Sequence, residues 1–369
     1  MLKVIRMNPI PYSMMFLTVL LSACLQQEDT QITLIKSLTK KGQSPVIQGD
    51  TAFFFYTGNA KNASIVGDFT GWQPKSMQKI IGSNIHYHTE VFQPEARLEY
   101  KLIIDNSWKT DPLNDDSCIT DLGFNSEVKM PEYLEPEWIY EDEETPGGAL
   151  YQFNLESKIF GKTRPVAVYL PSGFEKEAEY PVLIVHDGLD YVRRGRAQLQ
   201  LDNLIHKQVI VPVVVLFVSP QERTREYRDD LKADYVRFIE EELLPYAVSQ
   251  YNIKEKKDVR GVMGSSYGGH ISLYSAVRYP DKYKYVAPFS PYVSIEVLES
   301  LRGSNSWKKI YLLHGTYDHL DKIHSSVASL NQLFQSMDNY TYVEEPEAHN
   351  YYFWRKHFAE VLKYFYGDC

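Results

Sequence analysis

Gly264-Ser265-Ser266-Tyr267-Gly268 sets two serines among small residues, after an apolar run and before a helical pattern. A serine hydroxyl is a weak nucleophile at neutral pH and needs a base to take its proton. In the pattern G-x-S-x-G, Ser266 would sit on a sharp strand-to-helix turn, exposed at the carboxyl end of a sheet. The glycines permit that turn without a Cβ clash. Ser265 is offset by one, would point elsewhere, and reads as structural. The chemistry this predicts is acyl transfer through a serine nucleophile.

Such a serine is followed in the chain by an acid and then by a histidine. "KIYLLHGTYDHL" (309–320) reads as a strand ending in a loop that carries Asp318. "YTYVEEPEAHNYYFWR" (340–355) reads as a strand, a loop with His349, and a helix. Ser266, Asp318 and His349 then share one sheet edge, where ligand sites of open sheets lie. The competing histidines are His314 at a strand end, His319 and His324 in or near the next helix, His357 inside the last helix, and His270 one turn after Ser266. Asp321, Glu344, Glu345 and Glu347 are the competing acids. The backbone N–H of Tyr267 is one expected oxyanion donor. Leu189 or Gly188, on the loop after "YPVLIVHDGLDYV", supplies the other. The helix opened at Ser266 adds a favourable dipole end. Asp187, Arg223, Glu226 and Trp354 are candidates for the substrate pocket. The reaction calls for no cofactor and no metal. His86 and His88 share a strand face but lack a third ligand.

The elements that must position these groups fall in two parts. From 149 to 369, apolar runs such as "RPVAVYL", "YPVLIVHDG", "DVRGVMG" and "KYVAPFS" alternate with helical patterns. Several runs are apolar throughout, as strands covered on both faces must be. Val236, Ile239, Leu243, Leu244 and Ala247 share one helical face; Trp354, Phe358, Val361, Leu362 and Phe365 share another. The fold class is α/β, a doubly wound and mostly parallel sheet. Residues 46–130 read as all-β, with "TAFFFY", "ASIVGDF", "IHYHTEVF" and "LEYKLIID" as short strands. Residues 131–148, acidic and proline-containing, read as a solvated linker.

The catalytic segments resemble the esterase D branch of the α/β hydrolases, which includes enterochelin, feruloyl and acetyl-xylan esterases. The likeness covers nearly all of Tyr151–Gly367. "HDG" at His186–Gly188 matches the oxyanion strand, "RTREY" at Arg223–Tyr227 is similar to the R-x-x-E motif, and "GSSYGG", "HGTYD" and "EAHNYYFWR" match nucleophile, acid and histidine. Here Glu347-Ala348-His349-Asn350-Tyr351 departs from the commoner Gly-His-Asp-Trp form. For Arg223 and Glu226 the plainer alternative to substrate contact is a buried ion pair with each other. "GDFTGWQP" (67–74) and "NSWKTDPLND" (106–115) resemble the early-set, immunoglobulin-like sandwich of glycogen-branching enzymes (carbohydrate-binding module family 48). That resemblance implies glycan contact through Trp72 and Trp108, against a role in core or interdomain packing.

The chain has a net charge of −9 and no basic stripe, which argues against nucleic acid as a partner. It is rich in Tyr (28) and Phe (17), the residues of large apolar cores and aromatic pockets. At the N-terminus, Lys3 and Arg6 precede "MMFLTVLLSA" (14–23), too short to span a bilayer but suited to a secretion signal. Leu21-Ser22-Ala23-Cys24 resembles the bacterial lipoprotein signal. That implies residues 1–24 as signal and lipobox, lipid on Cys24, a tether over 25–45, and a place in the bacterial cell envelope at a membrane. A plain secretion signal is the alternative. Cys118 and Cys369 would remain, and an envelope location permits a disulfide between them. The expected activity is hydrolysis of a carboxylic ester on acylated carbohydrate. A siderophore esterase, an acyltransferase and an inactive binding lipoprotein are the rivals.

Overall fold

The computed structural model describes residues 32–120, 122–303 and 307–367. These form two compact units that divide between Glu132 and Tyr133. Cys24, the signal segment and Cys369 lie outside the described residues.

The first unit consists of two antiparallel sheets. One pairs Val46–Gln48, Thr51–Thr57, Ile85–Val91 and Gln78–Lys79. The other has Arg97–Ile104 and Gly123–Lys129 at its centre. Leu98, Tyr100, Leu102 and Ile104 are all buried, as strict alternation requires. The first half of this strand's opposite face is closed too. Arg97 donates to Glu127 at 2.8 Å and to Glu99 at 2.9 Å, and all three are buried. The expected tether is folded from residue 32 onward: a helix over 32–39 buries Ile35 and Leu38 against Val46, Phe53, Phe55 and Tyr87. Ile32, Ile35 and Leu38 recur at helical spacing within a charged stretch, an amphipathic pattern that a tether does not need.

The second unit is built on eight strands: β1 (Ala149–Ser157), β2 (Lys162–Leu170), β3 (Val182–His186), β4 (Val214–Val218), β5 (Gly261–Ser265), β6 (Tyr285–Phe289), β7 (Lys309–Gly315) and β8 (Tyr340–Glu345). Their spatial order is β1-β2-β4-β3-β5-β6-β7-β8. β1, β2 and β4 pair antiparallel; every later pairing is parallel. Helices α1 (Gly188–Arg193), α2 (Ala197–His206), α3 (Arg223–Tyr227), α4 (Tyr267–Arg278), α5 (Ile295–Leu301), α6 (Asp321–Phe334) and α7 (Tyr351–Tyr366) cover it. Two cores result, one per face. Ile184, Leu216 and Val262 point to the first; Val185, Phe217 and Met263 point to the second. This is why the central strands are buried at every position and mostly apolar.

Two features differ from expectation. The helical run Lys232–Tyr251 contains a π segment at Phe238–Leu243, where buried Glu240 accepts from Arg260, Lys282 and Tyr283. Within the acidic linker, Glu137–Ile139 forms a 3₁₀ turn with Ile139 buried. Asn203 on α2 donates to the carbonyls of Trp138 and Tyr140, and Arg196 donates to that of Ile139. The linker is therefore packed against α2 instead of solvated, because Trp138 and Ile139 carry apolar surface that its carboxylates conceal in composition.

Candidate active site

Ser266 stands between β5 and α4 at φ 59°, ψ −119°. A residue with a Cβ rarely adopts this conformation, and holding it costs about 1–3 kcal/mol. Three bonds hold it: Ser266 N–H donates to Phe289 O at 2.8 Å, and its carbonyl accepts from His270 and Tyr292. A Cβ on Gly264 would lie 2.6 Å from the backbone of Gly268, so strand and helix approach too closely for any side chain there. Ser265 is fully buried, its hydroxyl bonded to that of Tyr191.

Asp318 follows β7 and is buried. Its Oδ2 accepts from His349 Nδ1 at 2.6 Å and its Oδ1 from Leu320 N–H at 3.0 Å. Burial works to raise its pKa. The His349 bond and charge, with the Leu320 N–H, outweigh burial and hold the carboxyl below its usual range. His349 follows β8, and its ring meets Trp354 in a T-shaped contact, 5.0 Å between centroids at 86°. Asn350 then caps α7, its Oδ1 accepting from Tyr352 and Phe353 N–H at 3.1 Å each. This cap is the local reason for asparagine after the histidine. With Nδ1–H given to Asp318, Nε2 of the neutral ring is left as a base. Among the described residues, Ser266 Oγ makes no hydrogen bond to His349. In ligand-free sites such bonds are often long and close with substrate.

The loop expected to bind the oxyanion is fixed at several points. Asp187 takes a left-handed conformation, φ 52°, and its N–H donates to Tyr227 OH at 2.8 Å. The N–H of Leu189 donates to Ser219 Oγ at 3.0 Å and is therefore engaged. Gly188, first in α1, has no intrahelical acceptor for its N–H. Of the two candidates, Gly188 is the freer donor; Tyr267 holds the same first position in α4.

The pocket candidates behave differently from one another. Arg223 is part exposed and forms a bidentate pair with Asp187, at 2.8 Å from Nη2 and 3.0 Å from Nε. Glu226 is fully buried and pairs with Arg164, so it neither pairs with Arg223 nor reaches solvent. Its Oε1 also accepts from Gln221 and Glu222 N–H, which fixes the start of α3. Buried Asp187 serves Arg223, and buried Trp354 serves His349. Of the four, Arg223 alone presents substantial side-chain surface.

Several of the competing groups have other partners. His270 lies between Tyr227 O and Ser294 Oγ; His314 pairs with Glu344, and His357 with Glu345. His324 bonds to the backbone carbonyl of Asp318 at 2.5 Å, a contact that sequence reasoning missed. Among the described residues, no group of three or more His, Cys, Asp or Glu side chains could hold a metal. In the all-β unit, His86 is buried, and His88 bonds Glu90. Trp72 donates to Asp68, and Trp108 is 54% exposed, outside the core of its unit. A cavity of 380 Å³ there is lined by Lys75, Ser76, Gln78, Tyr87, His88 and Thr89, and by neither tryptophan. Cys118 is a buried free thiol.

A family model described as "Putative esterase" matches residues 157–364. YjcH of Bacillus subtilis is 27% identical over 233 residues, 58% of this chain and 97% of its own length. The iron(III) enterobactin esterase of Escherichia coli K12 is 24% identical over 238 residues, 57% of this chain and 59% of its own. An endo-1,4-beta-xylanase/feruloyl esterase of Xylanibacter ruminicola is 25% identical over 222 residues, 57% of this chain and 30% of its own. The match thus spans less than two thirds of either named esterase. Among solved structures, the enterobactin esterase of Shigella flexneri superposes with a TM-score of 0.71 at 20% identity, covering 87% of this chain and 94% of that one. A ferulic acid esterase reaches 0.51 at 18% identity, covering 60% and 99%. The sheet order, the serine turn at the end of β5 and the matched segment lead to one assignment: the chain belongs to the Esterase family, the α/β hydrolases of the esterase D and enterochelin esterase type.

Proposed function

We propose that this protein is a serine ester hydrolase working through an acyl-enzyme, with Ser266 as nucleophile, His349 as base and Asp318 as its orienting acid. The observation that carries this is the strained Ser266 turn on the same sheet edge as the 2.6 Å His349–Asp318 bond. His349 Nε2 takes the Ser266 proton as Oγ attacks the ester carbonyl. The N–H groups of Tyr267 and Gly188 receive the charge on oxygen, and the α4 N-terminus adds to it. His349 then gives the proton to the leaving alcohol. Water, deprotonated by His349, releases the acid and restores Ser266. Asp318 stays ionised throughout and steadies the imidazolium. A fluorophosphonate should label the wild-type chain and not Ser266→Ala. Absence of labelling in folded wild-type protein would instead support the inactive binding lipoprotein.

For the substrate, the enterobactin esterase superposition covers 87% of the chain, whereas the ferulic acid esterase covers 60% of it. That favours a siderophore-type lactone. Acylated carbohydrate remains the second reading, supported by the feruloyl esterase relative and by exposed Trp108. A panel of catechol trilactone, feruloyl and acetyl esters separates the two, and a competing sugar acceptor reveals any acyl transfer. Lipid attachment at Cys24 and an envelope location belong to the same reading. Incorporation of labelled palmitate that disappears in Cys24→Ser tests them.

A further inference from the structure

The mechanism leaves a buried pair unused. Tyr191 and Ser265 are both fully buried, and their hydroxyls are hydrogen-bonded to each other. Ser265 is the last residue of β5, directly before the nucleophile. Tyr191 is on α1, the helix that Gly188 opens. A second link runs in parallel: Arg223 Nη2 donates to Ser265 O at 3.2 Å while holding Asp187 at 2.8 Å. The Tyr191 ring also packs edge-on against Tyr351, which packs against Trp354, which packs against His349. One phenol thus touches the oxyanion helix, the strand of the nucleophile and the helix behind the base. Burial raises the pKa of Tyr191, so its hydroxyl stays neutral, and either oxygen of the pair can donate.

We propose that the Tyr191–Ser265 hydroxyl pair is a positioning device, resting on the esterase reading above. It sets the distance between the oxyanion donor at Gly188 and the nucleophile at Ser266. The geometry explains why two serines stand together: one reacts, and the other fastens the turn to the loop across from it. A contact of this kind acts on the transition state more than on substrate binding, because oxyanion donors must meet the oxygen where charge develops.

The test uses the full chain in detergent, with Tyr191→Phe, Ser265→Ala, the double variant, and Tyr283→Phe as control. Tyr283 is another buried tyrosine, bonded to Glu240 away from the site. Active sites are counted by fluorophosphonate titration, so misfolded protein drops out. On an aryl ester, each single variant should lose about tenfold in kcat with KM nearly unchanged, since small misplacements near the reacting atoms cost this much or more. Binding of an aryl boronic acid should weaken by the same factor. The double variant should be no worse than either single one. Tyr283→Phe should keep kcat and boronate binding. Unchanged kcat per titrated site, additive losses, or equal effects from Tyr283→Phe would overturn the proposal. A wild-type chain that neither turns over esters nor takes the label would remove the esterase reading itself, and this one with it.

Discussion

Trp354 and His349 meet in a T-shaped contact, 5.0 Å between ring centroids, while the Trp354 indole N–H reaches Ser290 Oγ at 3.4 Å. A side chain expected in the substrate pocket is thus the wall that fixes the proposed base. Trp354→Ala should cost about 3–5 kcal/mol of stability, as large buried aromatic truncations do. Trp354→Phe keeps an aromatic edge and should retain most activity per folded molecule. Thermal melting and kcat on an aryl ester measure both.

Asp318 accepts the His349 proton donor directly. Asp318→Asn preserves shape but offers an N–H where an acceptor is needed, favouring the wrong tautomer. The expected loss in kcat is on the order of 10³–10⁴-fold, with KM little changed. Steady-state kinetics on an aryl ester decides it; a loss below tenfold would remove Asp318 from the proposed triad.

Gly264 faces backbone atoms of Gly268, which cannot swing aside. Gly264→Ala should therefore destabilise by about 1–3 kcal/mol or more and displace the Ser266 turn. Urea unfolding and the rate of fluorophosphonate labelling should fall together.

Arg164 and Glu226 are both fully buried and bonded to each other. Removing one partner leaves an uncompensated charge. Glu226→Ala should cost about 3–5 kcal/mol, and Arg164→Met combined with Glu226→Leu should recover much of it. Urea unfolding curves of the three variants give the comparison.

His270 is buried between Tyr227 O and Ser294 Oγ, and burial lowers its pKa from 6.5 to about 4. The unfolded chain therefore binds a proton at this residue between those values and the folded one does not. The contribution is complete above pH 6.5 and is lost as pH falls toward 4, about 3 kcal/mol over that window. His270→Asn should flatten this part of the stability–pH curve, measured by urea titration at each pH.

The chemistry-bearing segments were legible because each is local. A strand, a turn residue and a helix start lie within about ten residues of one another, and periodicity reveals all three. The buried helical faces, such as Val236 to Ala247, were legible for the same reason. β1 was not among the strand-like runs. It is a sheet-edge strand, and exposed Tyr151, Gln152, Asn154 and Glu156 dilute its pattern. The helix over 32–39 and the packed turn at Glu137–Ile139 were hidden by the charged residues around them.

By itself, the order of residues determined that Ser266, Asp318 and His349, the proposed reacting groups, sit on loops after strands, and that the sheet carrying them is buried on both faces. Only the tertiary structure decided who partners whom. Arg223 chose Asp187 instead of Glu226, Leu189 gave its N–H to Ser219, and Tyr191 found Ser265. Covalent spacing constrains neighbours within a turn or two. A hydrogen bond or ion pair between residues 30 to 80 positions apart is set by how the layers stack, and composition carries no trace of that choice.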